Sequence, residues 1–223
     1  MKKSIQIENK INQVQITSNI EITDDVFILS FPKIFNFKPG QVISIQLHEN
    51  SPSRMYSIAS GINEDNIRIL FNINDLGYLT PKLSRLVTGQ KIYISNPFGT
   101  FLHDVNEGDY FISSGTGIAP FNSFLQSYKT QSIHLMHGSK TLNNFYFEQE
   151  LNFLHEKYVR CCSREKHESV YAGRLTQYLN ETQKFDLTKT YHLCGSAEMV
   201  NEVREILLKK EVPFENIQSE IYF

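Results

Sequence analysis

The sequence predicts two domains of different class: an antiparallel β-barrel over residues 1–103, then an α/β domain with a doubly wound parallel sheet over 104–223. Three observations carry this. A chain of 223 residues is long enough to bury two small cores. Its first half runs in period-two segments broken by Gly and Pro. Its second half alternates short apolar strands with amphipathic helical stretches.

In the first half, Ile11 to Thr17 and Gln41 to Leu47 alternate apolar and polar residues, the second after a Pro39-Gly40 turn. Ile67 to Ile73 alternates again, and Lys91 to Ser95 makes a further short strand. Close spacing of such segments favours a barrel. One helix interrupts them, with Thr80 as N-cap, Pro81 in the first turn and Leu83, Leu86 and Val87 as its apolar stripe. The boundary falls between Asn96-Pro97-Phe98-Gly99 and Glu107-Gly108.

In the second half, Tyr110 to Ser113 leads into Gly115-Thr116-Gly117 and a helix beginning near Pro120. Ile133 to Met136, Tyr158 to Cys162 and Tyr191 to Cys194 are the next strands. Helices are expected over Phe147 to Glu156 and from Ser196, where Met199, Val203, Ile206 and Leu207 share a face. The last residues, Ser219 to Phe223, read as an edge strand joining the sheet.

The composition excludes several classes. A formal net charge of -2 gives no global signal for nucleic acid or an anionic membrane. Residues 1–103 carry 10 Lys and Arg against 8 Asp and Glu, and residues 104–223 carry 12 against 16, a mild positive balance on the first half. Met1-Lys2-Lys3-Ser4 leads into no apolar run, so no secretory signal is expected, and no segment approaches the ~18–20 apolar residues of a membrane span. Three cysteines are too few for a disulfide framework or for the four thiolates of an iron–sulfur cluster, and they fit a cytoplasmic protein without a metal site.

Arg54-Met55-Tyr56-Ser57 joins a cation, a flat ring and a hydroxyl in one extended segment, with Arg54 and Tyr56 on one face and Ser57 on the other. Alone this is equally a strand with a snorkelling arginine. Gly77-Tyr78-Leu79-Thr80-Pro81 turns into a helix whose N-terminus favours phosphate, or is a plain cap. Gly115-Thr116-Gly117-Ile118-Ala119-Pro120 joins a parallel strand to its helix, again a natural pyrophosphate turn. Ser163-Arg164-Glu165 and Gly173-Arg174 follow the third such strand, where two guanidiniums and a hydroxyl form a receptor for a phosphomonoester.

Together these strings resemble the bacterial ferredoxin (flavodoxin)–NADP reductase family: R-x-Y-S, then G-x-L-[S/T]-P-[K/R]-L, N-P-F-G-T-F, G-T-G-I-A-P, S-R-E … G-R-L-T, C-G-x-x-x-M and a final E-x-Y-F, in that order over nearly the whole chain. The resemblance implies an FAD-dependent enzyme that passes a hydride between NADPH and flavin, and single electrons to or from a ferredoxin or flavodoxin. It implies Arg54, Met55, Tyr56 and Ser57 around FAD, with Tyr78, Leu79 and Thr80 behind them. It places Gly115, Thr116 and Gly117 on the NADPH pyrophosphate and Ser163, Arg164 and Arg174 on the 2′-phosphate. Cys194, Gly195 and Met199 lie at the nicotinamide end. Tyr222 stacks on the isoalloxazine, Phe223 extends toward the FAD adenine, and Glu220 stands near Ser57 as acid or base. Ser57, Cys194, Glu220 and Tyr222 form the catalytic set. One departure is Lys140, where the family carries Arg.

The alternatives in the same fold are the reductase component of an oxygenase or haem-linked dioxygenase and a free-flavin reductase. A non-catalytic flavin-binding regulatory subunit is the alternative from another class. Retention of Ser57, Cys194 and Glu220 together argues against that last one.

Overall fold

A computed structural model of the protein describes residues 11–222. The first half forms two antiparallel sheets. Strands β1 (Ile11–Gln15), β2 (Ser18–Thr23), β3 (Val26–Pro32), β4 (Val42–Gln46), β5 (Arg54–Ser57), β6 (Asn66–Asn72) and β7 (Lys91–Ser95) pair in the orders β1-β7-β4-β5 and β2-β3-β6. Both sheets close on one core in which Val14, Phe31, Ile43, Ile45, Ile67, Ile69 and Ile94 are buried. A bridge from Ile58 to Ile69 continues β5 onto β6 and links the sheets.

Two strands here lie outside the sequence expectation. β2 buries no residue and leaves Ile20 exposed, while β3, VFILSFP, is the middle strand of its sheet and is apolar on both faces, with Ser30 alone polar, instead of alternating. The helix expected at Thr80 is one turn, α1 (Thr80–Leu83), so Leu86 and Val87 lie beyond it and Val87 is exposed. Thr80 is not its N-cap. Leu79 holds that position, and the Thr80 hydroxyl accepts the Asn74 N–H at 2.8 Å.

The second half is a six-stranded parallel sheet. It comprises β8 (Tyr110–Ser114), α2 (Ala119–Tyr128), β9 (His134–Ser139), α3 (Glu148–Leu151), β10 (Tyr158–Cys162), β11 (Tyr171–Ala172), α4 (Leu175–Glu181), β12 (Tyr191–Ser196), α5 (Ala197–Lys209) and β13 (Ile217–Tyr222). The order β11-β10-β9-β8-β12-β13 reverses direction between β8 and β12. In sheets of this kind that reversal opens the crevice in which ligands bind.

Strand residues alternate between two helix layers. Phe111, Leu135 and Cys194 pack with α2 and α3, while Ile112, Met136 and Leu193 pack with α4 and α5. Ser196 caps α5 by accepting the Met199 N–H, and Met199, Val203, Ile206 and Leu207 are buried as the periodicity requires. The helix expected over Phe147 to Glu156 resolves into α3 and a 3₁₀ stretch kinked at His155, whose φ is 51°.

One seam joins the halves. Directly after β5, the Ala59 and Ser60 carbonyls accept from Asn122 Nδ2 at 3.0 Å and Ser123 Oγ at 2.7 Å, and the Ile62 N–H donates to Ser127 Oγ at 2.9 Å. Arg68 on β6 then meets Glu150 on α3 with two bonds of 2.8 Å, donates to Glu64 at 2.9 Å and lies over the Phe147 ring.

Candidate active site

β5 runs antiparallel to β4, with Val42 opposite Ser57, and its alternation sets the flavin-side residues. Arg54 and Met55 are exposed, Tyr56 is half-buried and Ser57 is buried. Arg54 donates to the adjacent Ser53 carbonyl and has no ion pair among the described residues. Tyr56 packs edge-on to Phe71 at 6.2 Å, and its buried hydroxyl has no hydrogen-bond partner. Burial pushes that phenol well above its ordinary range, with Arg54 opposing. An unspent guanidinium and an orphaned phenol side by side fit an anionic, polar cofactor laid along the strand.

The Gly77 turn behaves differently from its sequence reading. A one-turn helix has little dipole, and the Thr80 hydroxyl is already committed to Asn74. The Leu79 side chain is a core residue, which leaves only its backbone for a ligand. Tyr78 is exposed, with Lys82 Nζ 3.6 Å from its ring centre.

At the sheet's switch point, residues Gly115–Ile118 form a 3₁₀ turn ahead of α2. Gly117 is glycine for a packing reason: a Cβ there would stand 2.2 Å from the Cys194 carbonyl oxygen. The Gly115–Ile118 turn and Cys194 are thus locked together. Gly115, at φ 52°, has nothing within 4 Å of where its Cβ would be.

Parallel pairing brings the catalytic candidates into one row. Cys194 of β12 is in register with Ser113 of β8 on one side and Glu220 of β13 on the other. Across the domain cleft, Ser57 Oγ donates to Glu220 Oε1 at 2.7 Å. Burial raises the Glu220 carboxyl above its ordinary value, with the Ser57 bond opposing. Burial and the neighbouring Glu220 push the Cys194 thiol up, so it stays neutral. The Tyr222 hydroxyl is buried beside Ser57 and Cys194, closes no bond of normal geometry, and is likewise pushed up by burial. Phe223 lies outside the described residues.

Ser163, Arg164 and Arg174 are exposed at the C-terminal ends of β10 and β11. The Ser163 and Arg164 N–H groups donate to the Ser139 and Lys140 carbonyls, each at 3.0 Å, which ties the two strand-end loops together. The Glu165 carboxylate accepts the Leu142 N–H at 2.6 Å. Lys140 is exposed beside them. Gly195 and Met199 are in contact under the row: a Cβ on Gly195 would meet Met199 Cε at 2.6 Å.

An antiparallel sheet domain, an open parallel α/β domain and a hydroxyl–carboxyl–thiol row where they meet define the class, a two-domain oxidoreductase of the electron-transfer type. Residues 111–205 match the family model of the oxidoreductase NAD-binding domain. The ferredoxin–NADP reductase of Pseudomonas aeruginosa is 26% identical over 77% of this chain and 78% of its own length. The electron transfer component of anthranilate 1,2-dioxygenase from Acinetobacter baylyi is 24% identical over 98% of this chain and 67% of its own. The crystal structure of a ferredoxin NADP+ reductase from Neisseria gonorrhoeae with bound FAD and NADP superposes with a TM-score of 0.88, at 21% identity, over 97% of this chain and all of that one. The chain thus carries an oxidoreductase NAD-binding domain over residues 111–205 and has the fold of that ferredoxin NADP+ reductase.

Proposed function

We propose that this protein binds FAD between its two domains, takes a hydride from NADPH, and hands electrons one at a time to a ferredoxin or flavodoxin. Residues 1–103 form the flavin domain and residues 104–223 the nucleotide domain. The observation that carries the reading is the Ser57–Glu220 hydrogen bond, which sets a proton-holding pair in the cleft, with Glu220 directly in register with Cys194.

Bound there, FAD supplies the hydride acceptor and the one-electron donor. The protein binds, orients and shields. Arg54 neutralises the pyrophosphate, Tyr56 lies along the cofactor, and the backbones at Met55, Tyr78 and Leu79 complete the cradle. Gly115, Thr116 and Gly117 receive the NADPH pyrophosphate, while Ser163, Arg164 and Arg174 receive the 2′-phosphate. Cys194 is a neutral, polarisable wall for the nicotinamide, backed by Gly195 and Met199. Glu220 retains its proton to higher pH than an exposed glutamate and exchanges it with the Ser57 hydroxyl. Tyr222 covers the row and must yield to the nicotinamide ring.

A second reading, reductase of an oxygenase, is favoured by the match to the anthranilate dioxygenase component across 98% of this chain. One experiment tests both. The purified protein should be yellow with one FAD per chain, and NADPH should drive reduction of ferredoxins or flavodoxins in a panel. Reduction of only an oxygenase-linked cluster protein would select the second reading. A colourless protein that takes up no FAD would end both. Among the described residues no helix is long and apolar enough to cross a membrane.

A further inference from the structure

Beneath the Gly115 turn lies a polar side chain that the site described so far does not use. His137, on β9, is fully buried and in register with Ser113 of β8. Its Nδ1 is 3.1 Å from the Tyr158 hydroxyl, and Phe145 packs edge-on to the ring. β9 packs against the Gly115–Ile118 turn, close enough for the Gly115 backbone to act on the imidazole, and His137 Nε2 closes no hydrogen bond of normal geometry. Ser113 Oγ, buried next to it, has no partner either. Two unpartnered polar atoms under one turn are costly and call for a role.

We infer that His137 is a positioning residue for the nucleotide turn: when a pyrophosphate seats on Gly115–Ile118, the Gly115 carbonyl swings onto His137 Nε2 and the new bond holds the turn in its binding form. The inference rests on the nucleotide site proposed above. The turn is hinged for such a motion. Its Gly117 end is wedged against the Cys194 carbonyl, while the Gly115 end sits in open space at positive φ, where the peptide can rotate without a side chain to clear. The ring is equipped to donate. Burial drives its ionisation down to about 4, so it is neutral at physiological pH. Donation to Gly115 requires the tautomer in which Tyr158 donates to Nδ1 and the single ring proton resides on Nε2.

The test compares two ligands on two variants of the purified flavoprotein by titration calorimetry. NADP⁺ presents a pyrophosphate to the turn, and adenosine 2′-monophosphate, which has no 5′-phosphate, does not. In His137→Asn the amide oxygen retains the acceptor for Tyr158 but nothing reaches the Nε2 position. In His137→Gln the amide nitrogen restores a donor there. NADP⁺ should bind about 3- to 10-fold more weakly to His137→Asn, the worth of one neutral hydrogen bond, and within about twofold of wild type to His137→Gln. Binding of adenosine 2′-monophosphate should be unchanged in both. NADP⁺ affinity unchanged in His137→Asn would overturn the inference, as would equal weakening of both ligands or no recovery in His137→Gln. A wild type that binds NADP⁺ no tighter than adenosine 2′-monophosphate would instead remove the pyrophosphate from the turn, and the nucleotide site with it.

Discussion

Replacing Arg68 with Met should loosen the seam between the domains in a way that acid reverses. The guanidinium makes two 2.8 Å bonds to Glu150 and one of 2.9 Å to Glu64, and its side chain is 18% exposed. Removing one partner of a fully buried pair costs about 3–5 kcal/mol. Here Glu64 and Glu150 each retain 35% exposure, so solvent screens the orphaned carboxylates and about 2 kcal/mol is expected. For a chain of this size that lowers Tm by about 4–8 °C. The sign with pH follows from Glu150. Despite the opposing effect of burial, bonding and attraction to Arg68 hold its carboxyl below the ordinary value of 4.5. Its contribution is therefore complete above about pH 4.5 and is lost as pH falls through the depressed folded-state value. Thermal unfolding of wild type and Arg68→Met at pH 7, and at steps below about pH 4.5, should show a gap that narrows with acid. A gap under about 1 °C at pH 7, or one that widens with acid, would refute the reasoning.

Arg54→Ala should purify with little FAD, because a cofactor pyrophosphate loses its cation; absorbance at the flavin band against protein measures this. Arg164→Ala combined with Arg174→Ala should erase most of the preference for NADPH over NADH, each arginine contributing about 10- to 150-fold in kcat/KM. Glu220→Gln should slow hydride transfer in stopped flow while leaving FAD in place. Because burial raises the Glu220 carboxyl, its ionisation destabilises the fold, so Glu220→Gln should melt higher than wild type at neutral pH and lose that advantage below about pH 4.5. Tyr222→Ser should bind NADP⁺ more tightly and turn over more slowly, since the ring that competes with nicotinamide is gone; titration of the oxidised protein reads the affinity directly.

What the sequence discloses follows how far apart the interacting residues lie along the chain. Strands with an apolar residue at every second position, such as Ile67, Ile69, Phe71 and Ile73, are evident from period even though Leu70 is also buried, and so is the α5 face of Met199, Val203 and Ile206. β3 escapes because a run apolar on both faces carries no period, and α4 because Leu175 and Leu179 alone mark its buried face. The absent side chain of Gly117 makes room for the Cys194 carbonyl, 77 residues later in sequence and invisible to any local pattern. The Ser57–Glu220 bond joins residues 163 apart, and Arg68–Glu150 residues 82 apart. The first was foreseeable only through the family resemblance. The second has no local sequence signal, since Arg68 sits where an alternating strand would show any polar residue.

The Ala59–Ile62 run has a consequence for recombination. It is the direct continuation of the strand bearing Arg54 to Ser57, and it grips the helix that grows out of the Gly115 turn. The bonds use main-chain atoms on one side and Asn122, Ser123 and Ser127 side chains on the other. The two halves are therefore poor interchangeable cassettes. A chimera joined between residues 96 and 108 inherits a foreign helix face, and three polar side chains there decide whether the graft seats. Transplanting Asn122, Ser123 and Ser127 with the second domain should rescue hybrids that a clean cut at the linker leaves misaligned.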